Sequence, residues 1–446
     1  MKTLLKNGYL FTGASLPVRK ELLVENDRIS ALLPPGTVAE ADETVDLHDR
    51  VVIPGFVQTH VHLCQVLFRG RADDLALLDW LRTRIWPYEA SHDEESTYLS
   101  ALLGCMELLA GGATSVCVME SVRHADAAAR AMEETGIRGV FGKAMMDYTD
   151  TPAALGGMPD AFLETTQQSL DRSLALLKKW HGAANGRIRY AFMPRGILTT
   201  SEELLCELRR LSGEYGVLVH THACETTPES RLVEQRRGLT EIRYLHKLGL
   251  TGQQLLLAHC LCIDEEDIEI LRSTQTGVAS CPLANLKLAS GVAPLQRMLS
   301  AGVRLSLGSD GAPCNNNLDM FQEMKYAALL QKGISHDPTW MSAEDIFRIA
   351  TEGGARVLGM EKETGTLAAG MKADLAVVEL DCRAAAPAPR AVSTLVYSGS
   401  PAMVTDTMVD GRWVYRNGAF LHLDEERIRA HAREAVERVI KRAQGA

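Results

Sequence analysis

The sequence predicts an α/β fold: a (β/α)8 TIM barrel beside a small β-sandwich-like domain built from both chain ends. Three observations carry this expectation. Eight short apolar runs alternate with helical patterns through the middle of the chain. Both ends instead show short strands punctuated by turn residues. The length, 446 residues, exceeds one ordinary domain, whereas an α/β barrel with insertions takes about 250 or more.

The elements follow in chain order. The first fifty residues read as TLLKNGYLFTG, KELLVENDRISALLP and ETVDLHDRVVIP, with a polar turn inside "ENDRISAL" that suits a hairpin. Val51 to Val57 is a β-branched run interrupted by one Pro-Gly step, expected to form one buried strand. Counting PGFVQTH as strand one, the barrel continues with GATSVCVM (112–119), RGVFGKAMM (138–146) and RIRYAFMP (187–194). Strands five to eight are GVLVHTHA (216–223), QLLLAHC (254–260), GVASCP (277–282) and VRLSLGSD (303–310). Helical patterns such as EESTYLSALLGCMELLAGG and SEELLCELRRLSGEYG lie between them, with glycine at plausible helix ends. The β texture returns in ADLAVVEL (373–380), STLVYSG (393–399) and DTMVDGRWVYRNGAF (406–420), where Asp410-Gly411 marks a hairpin turn. Residues 1–53 plus 366–446 are therefore expected to form the β-rich domain, and 54–365 the barrel. A last helical segment puts Ile428, Ala432, Ala435, Val436, Val439 and Ile440 on one face, which should pack on the body.

Bulk composition narrows the function classes. The net charge of −10 argues against a nucleic-acid or anionic-membrane surface. No apolar run approaches the roughly 18–20 residues that span a bilayer, and the N-terminus lacks a signal-peptide pattern. Ten scattered cysteines fit free thiols in a reducing compartment, so the expected address is cytoplasmic.

The chemistry is carried by the strand ends, because catalytic groups of such barrels sit at the C-terminal rim. Strand one ends in His60 and His62, which share a face by the period of two. Alone, that pair leaves metal ligation and mutual hydrogen bonding equally open. Strand five adds His222 with Glu225 three residues on, strand six His259, and strand eight Asp310. His220 shares the face of His222 and is expected to be structural. Lys143, in strand three, is expected to be an internal ion-pair partner. His92, His124, His181, His246, His336, His422 and His431 have no partner pattern and read as solvated or structural.

"PGFVQTHVH", "HTHACE", "LLLAHC" and "LGSDGAPCNNNLDMF" together resemble the amidohydrolase superfamily, in its metal-dependent deaminase and chlorohydrolase branch. The likeness covers nearly the whole chain, including the "GTLAAGMKADLAVV" return into the terminal β domain. It implies metal ligands His60, His62, His222 and Asp310, a proton-shuttling Glu225, and His259 beside the reacting carbon. It further implies one divalent ion, since strand four ends in Arg195, where a binuclear relative would need a lysine. His₃Asp ligation suits zinc or iron. Such an ion lowers the pKa of its water from about 15.7 to near 7. The leaving amine must then be protonated, the task for which Glu225 is placed. The implied partners are water and a small heterocyclic substrate, with a homo-oligomeric assembly.

Substrate signatures are mixed. Glu89, in "WPYEA", matches the position where S-adenosylhomocysteine-type deaminases hold a ribose. Gln65 and the Pro194-Arg195 pair instead match guanine deaminase, whereas "SDGAPCNNNLDMF" looks like the other branch. Gln65 and Arg195 together suit a ring carbonyl beside a ring nitrogen, so a guanine-type base is the expected substrate. The alternatives are adenosine derivatives, a triazine-type chlorohydrolase, or a fold that has lost its metal; the intact ligand set speaks against the last.

Overall fold

Residues 1–13, 16–147, 158–385 and 391–445 are described by the structure, a computed structural model. All eight apolar runs become barrel strands: Phe56–Val61, Ala113–Glu120, Arg138–Met145, and a fourth in two pieces, Ile188–Tyr190 and Met193–Pro194. Val219–Ala223, Leu255–His259, Gly277–Ser280 and Arg304–Leu307 complete the set. Every pairing among them is parallel, which is why the runs are continuously apolar rather than alternating. The ladders form two arcs, strands one to four and five to eight.

Two joints close the barrel. Between strands four and five, Phe192 bridges Val219. Between strands eight and one, side chains do the joining. Gln58 donates to the Ser309 hydroxyl at 2.6 Å and accepts from its backbone N–H at 2.9 Å. The Thr59 hydroxyl donates to the Leu307 carbonyl at 2.8 Å, and the Asp310 N–H reaches the His60 carbonyl at 3.0 Å. This approach needs a bare backbone: a Cβ at Gly308 would fall 2.8 Å from the His60 Cβ.

The expected helices appear as Glu94–Ala110, started by an Asp93/Ser96 capping box, and Glu202–Tyr215, capped by Ser201. Both chain ends meet in one nine-stranded sheet. Its hinge is Val51–Pro54, parallel to Lys2–Leu10 on one side and antiparallel to Leu375–Val378 on the other. Leu5, Leu22, Val52, Leu375, Val377 and Met408 share a small core drawn from both ends. The two hairpins form as read, with Asn26 at φ 57°, and Asp410 and Gly411 at φ 51° and 70°. A buried ion cluster ties this sheet to the barrel: Arg138 of strand three pairs with Asp374 at 2.6 Å and also with Asp410.

Two expectations need correction. Val51 to Val57 is two strands, because the chain bends at Gly55; a Cβ there would lie 2.1 Å from the Thr114 hydroxyl. The run at 393–399 is not β but lies in a helix, Val392–Ser398. Val392, Leu395 and Val396 are buried there, so tertiary packing overrides their β preference. As expected, the last helix, Glu425–Gly445, packs on the body, its buried Ala432, Ala435 and Val439 meeting Leu67, Phe68 and Leu99. Part of the alanine- and proline-rich stretch 384–389 lies outside the described residues.

Candidate metal centre

Four strand ends converge as the sequence suggested. One ligand atom each from His60, His62, His222 and Asp310 lies within 4.8 Å of the others. Asp310 Oδ1 is 3.4 Å from His60 Nε2 and 3.2 Å from His62 Nε2, and His62 and His222 Nε2 are 3.2 Å apart. Donors placed tetrahedrally about 2.0–2.1 Å from an ion stand about 3.3 Å from one another, so the set fits a single such ion. The His60 Nε2 atom is buried and has no hydrogen-bond partner among the described residues, as a ligand atom would be.

The outer partners fix each ring. His62 Nδ1–H donates to the Met119 carbonyl at 2.8 Å, and His222 Nδ1–H to the Arg195 carbonyl at 2.6 Å. His220 donates from Nδ1 to the Leu256 carbonyl at 3.0 Å, leaving Nε2 to accept from His60 Nδ1 at 2.8 Å. The imidazoles of His60, His62 and His222 thus turn an unprotonated Nε2 inward, ready to accept an ion. His220 stands behind His60, and this contact holds the His60 ring in its orientation. Burial lowers the His60 pKa to about 4 and holds His222 well below the histidine range. Burial alone would raise Asp310, but the His60 and His62 rings beside it hold it well below ordinary carboxylates. Asp310 and His259 occupy left-handed backbone, φ 62° and 75°, a cost concentrated at functional sites.

Glu225, His259 and Asp310 form a second overlapping cluster, with Glu225 Oε2 3.5 Å from His259 Nε2. Burial, then the charge of Asp310, raises Glu225 well above the carboxylate range, so it readily holds a proton. His259 is fixed through Nδ1 by Asn285 at 2.9 Å.

Gln65, Glu89 and Arg195 also come together, but not as rivals. Arg195 closes its fork on Glu89, at 2.7 and 3.2 Å, and Gln65 Nε2 donates to the same carboxylate at 2.7 Å. Burial favours a neutral Glu89, but the Arg195 charge outweighs it and the pKa falls. Gln65 and Arg195 line a cleft of about 620 Å³, mouth included, that also takes in His62, His222, Glu225 and Asp310. The expectation that the Arg195 fork faces a substrate carbonyl is therefore corrected: it faces Glu89. Lys143 is paired with Glu164 at 2.6 Å, as expected of an internal ion pair. His92 is buried between the Cys64 carbonyl and the Ser96 hydroxyl.

Sequence reasoning passed over Asn285 and two acids. Glu120 ends strand two, is buried without a hydrogen-bond partner among the described residues, and is pushed up to about 8 by burial. Glu229 lines the cleft. Glu120 ended the run GATSVCVM one residue too late to be counted; Glu229 sat in an unremarkable helix start.

Residues 51–414 match the model of the amidohydrolase family. The chain belongs to the amidohydrolase family. This amidohydrolase is 40% identical over 408 residues to the 5′-deoxyadenosine deaminase of Methanothermobacter thermautotrophicus, covering 92% of each chain. It is 39% identical over 413 residues to the 5-methylthioadenosine/S-adenosylhomocysteine deaminase of Thermococcus onnurineus, covering 92% of this chain and 93% of that one. Among solved structures it superposes on an adenosine deaminase from Xanthomonas campestris with bound zinc at a TM-score of 0.92, with 30% identity over 98% of each chain. The amidohydrolase is an enzyme: a deaminase-type hydrolase acting on carbon–nitrogen bonds of cyclic amidines.

Proposed function

We propose that this amidohydrolase deaminates adenosine derivatives altered at the 5′ position, releasing ammonia. Under this reading His60, His62, His222 and Asp310 hold one divalent ion, with zinc favoured by the Xanthomonas campestris relative. When bound, the ion supplies activated water and Lewis-acid polarisation. The chain's own residues do the rest. Glu225 takes a proton from the attacking water and returns it to the exocyclic nitrogen, because an amide anion is too basic to leave unprotonated. His259, locked by Asn285, directs Nε2 at the same point. Asp310 is the second carboxylate in reach for the remaining proton.

The observation that carries the choice of substrate is the Arg195–Glu89 ion pair. A guanine-type base would draw on the Arg195 fork for its ring carbonyl, and that fork is already engaged. The relatives' names point the same way, so the adenosine-derivative alternative replaces the guanine-type expectation. Gln65, held to Glu89 through Nε2 and with its Oε1 unpartnered among the described residues, gives the cleft wall an acceptor suited to a sugar hydroxyl. Ammonia release from 5′-deoxyadenosine, 5′-methylthioadenosine, S-adenosylhomocysteine, guanine and an aminotriazine tests the reading. The adenosine derivatives should lead guanine by about tenfold or more in kcat/KM, about 1.4 kcal/mol of transition-state binding. Guanine as the faster substrate would overturn it.

A further inference from the structure

A buried carboxylate with no task in the reaction just described stands between two groups that have one. Glu323 lies in the first turn of the helix Met320–Ser335, which Asp319 caps, and it is wholly buried. Its two oxygens serve different elements. Oε1 accepts from Asn315 Nδ2 at 2.6 Å, and Oε2 accepts from the Leu283 backbone N–H at 3.2 Å. The first arm leads to Asp310. Asn315 Nδ2 also donates to the Ser309 carbonyl at 2.7 Å, part of the peptide that delivers Asp310. The second arm leads to His259. Leu283 opens the short helix Pro282–Lys287, whose cap residue, Cys281, supplies no side-chain hydrogen bond. Pro282 has no N–H, so Leu283 carries the first free donor of that turn, and Glu323 meets it. The same helix holds Asn285, whose Oδ1 accepts from His259 Nδ1–H at 2.9 Å.

We propose that Glu323 is a positioning residue that ties the Asp310 turn to the Asn285 helix and so fixes Asp310 and His259 relative to each other. The inference rests on the roles given to those two residues under the proposed function. Both occupy left-handed backbone, which persists only where the surroundings over-determine it. A link between the two surrounding turns is placed to hold both at once. A displacement of about 1 Å between reacting groups is enough to cost about 10²-fold in rate. Burial pushes the Glu323 carboxyl up to about 8, while its hydrogen bonds from Asn315 and Leu283 pull it back. The link uses Glu323 as an acceptor and needs no net charge, since a carboxyl keeps acceptor capacity in either protonation state.

Glu323→Gln keeps the shape but turns an NH₂ group toward one of the two N–H donors, so one arm must open. Two readouts on the full-length protein test the proposal. In the zinc-loaded enzyme, kcat for 5′-deoxyadenosine per bound ion should fall about tenfold or more, with KM within about threefold. In the cobalt-loaded protein, the visible d–d absorption should shift, because Asp310 is placed among the ligands and the bands follow ligand geometry. Asn315→Ala cuts the Asp310 arm alone and should reproduce both effects, which covers a Glu323→Gln protein that fails to fold. A carboxylate that serves stability alone would lower the yield of loaded protein and leave each loaded chain unchanged. Wild-type kcat per ion, or wild-type cobalt bands, in the variants that fold therefore overturns the inference. If the wild type deaminates no adenosine derivative, the reading of function falls, and the cobalt spectrum by itself decides whether Glu323 holds Asp310.

Discussion

Each histidine of the proposed metal set can coordinate only from the ring nitrogen that its outer partner leaves bare. The three carbonyls of Met119, Arg195 and Leu256 make that choice, the last through His220. His60→Ala or Asp310→Ala removes one of four donors, and metal content by elemental analysis should fall from about one ion per chain to well below half. Two ions in every active chain would contradict the single-ion site. Glu225→Gln keeps shape and hydrogen bonding but cannot take a proton, so kcat should drop at least about 10²-fold while the metal stays bound. His92 bears on stability. Its folded pKa, lowered to about 4 by burial, lies below the unfolded value near 6.5, so its contribution is complete above that value and is lost as pH falls toward 4. Between pH 7 and 5 the shift is worth about 2 kcal/mol, and urea denaturation of His92→Gln should show a pH-dependent loss smaller by that order. That His60, His62, His222, Glu225 and Asp310 would come together was legible because each lies at or just past the end of an apolar strand in a recognisable spacing. The Arg195–Glu89 pair was not, since 106 residues separate two groups that only the closed barrel brings into contact.

At the scale of elements, the buried Arg138 joins strand three to the sheet through Asp374 and Asp410. Arg138→Met would leave the buried Asp374 without its cation while Asp410 keeps Lys372 at 3.1 Å, and losing one partner of a buried pair costs about 3–5 kcal/mol. Chemical denaturation should register that loss, and a change below about 1 kcal/mol would show the cluster to be structurally idle. The barrel strands were readable because burial on both faces makes each a short unbroken apolar run. The same criterion misled at 393–399, where a valine- and leucine-bearing segment meets helices rather than a sheet edge. The bend at Gly55 was also hidden, since only the position of Thr114 in space forbids a straight strand.

At the scale of the molecule, we propose the division into 1–53 with 366–446 and 54–365. Ending the chain at Gly365 removes Leu375–Val378 and leaves Val51–Pro54 without its antiparallel partner. Exposed strand edge and apolar surface should make that fragment insoluble on expression, and a soluble, active fragment would refute the division. The joint between strands eight and one carries a different consequence. His60 and Asp310 stand on its two sides, linked by a single backbone hydrogen bond and a few side chains. During synthesis the two early ligands, His60 and His62, wait for some 250 further residues before Asp310 exists to complete the set. A nascent chain that stops short of Asp310 would offer a cation at most the imidazoles of His60, His62 and His222, without the carboxylate. An ion held by both His60 and Asp310 would span that joint, so full-strength loading would wait for the closed barrel and fasten it shut.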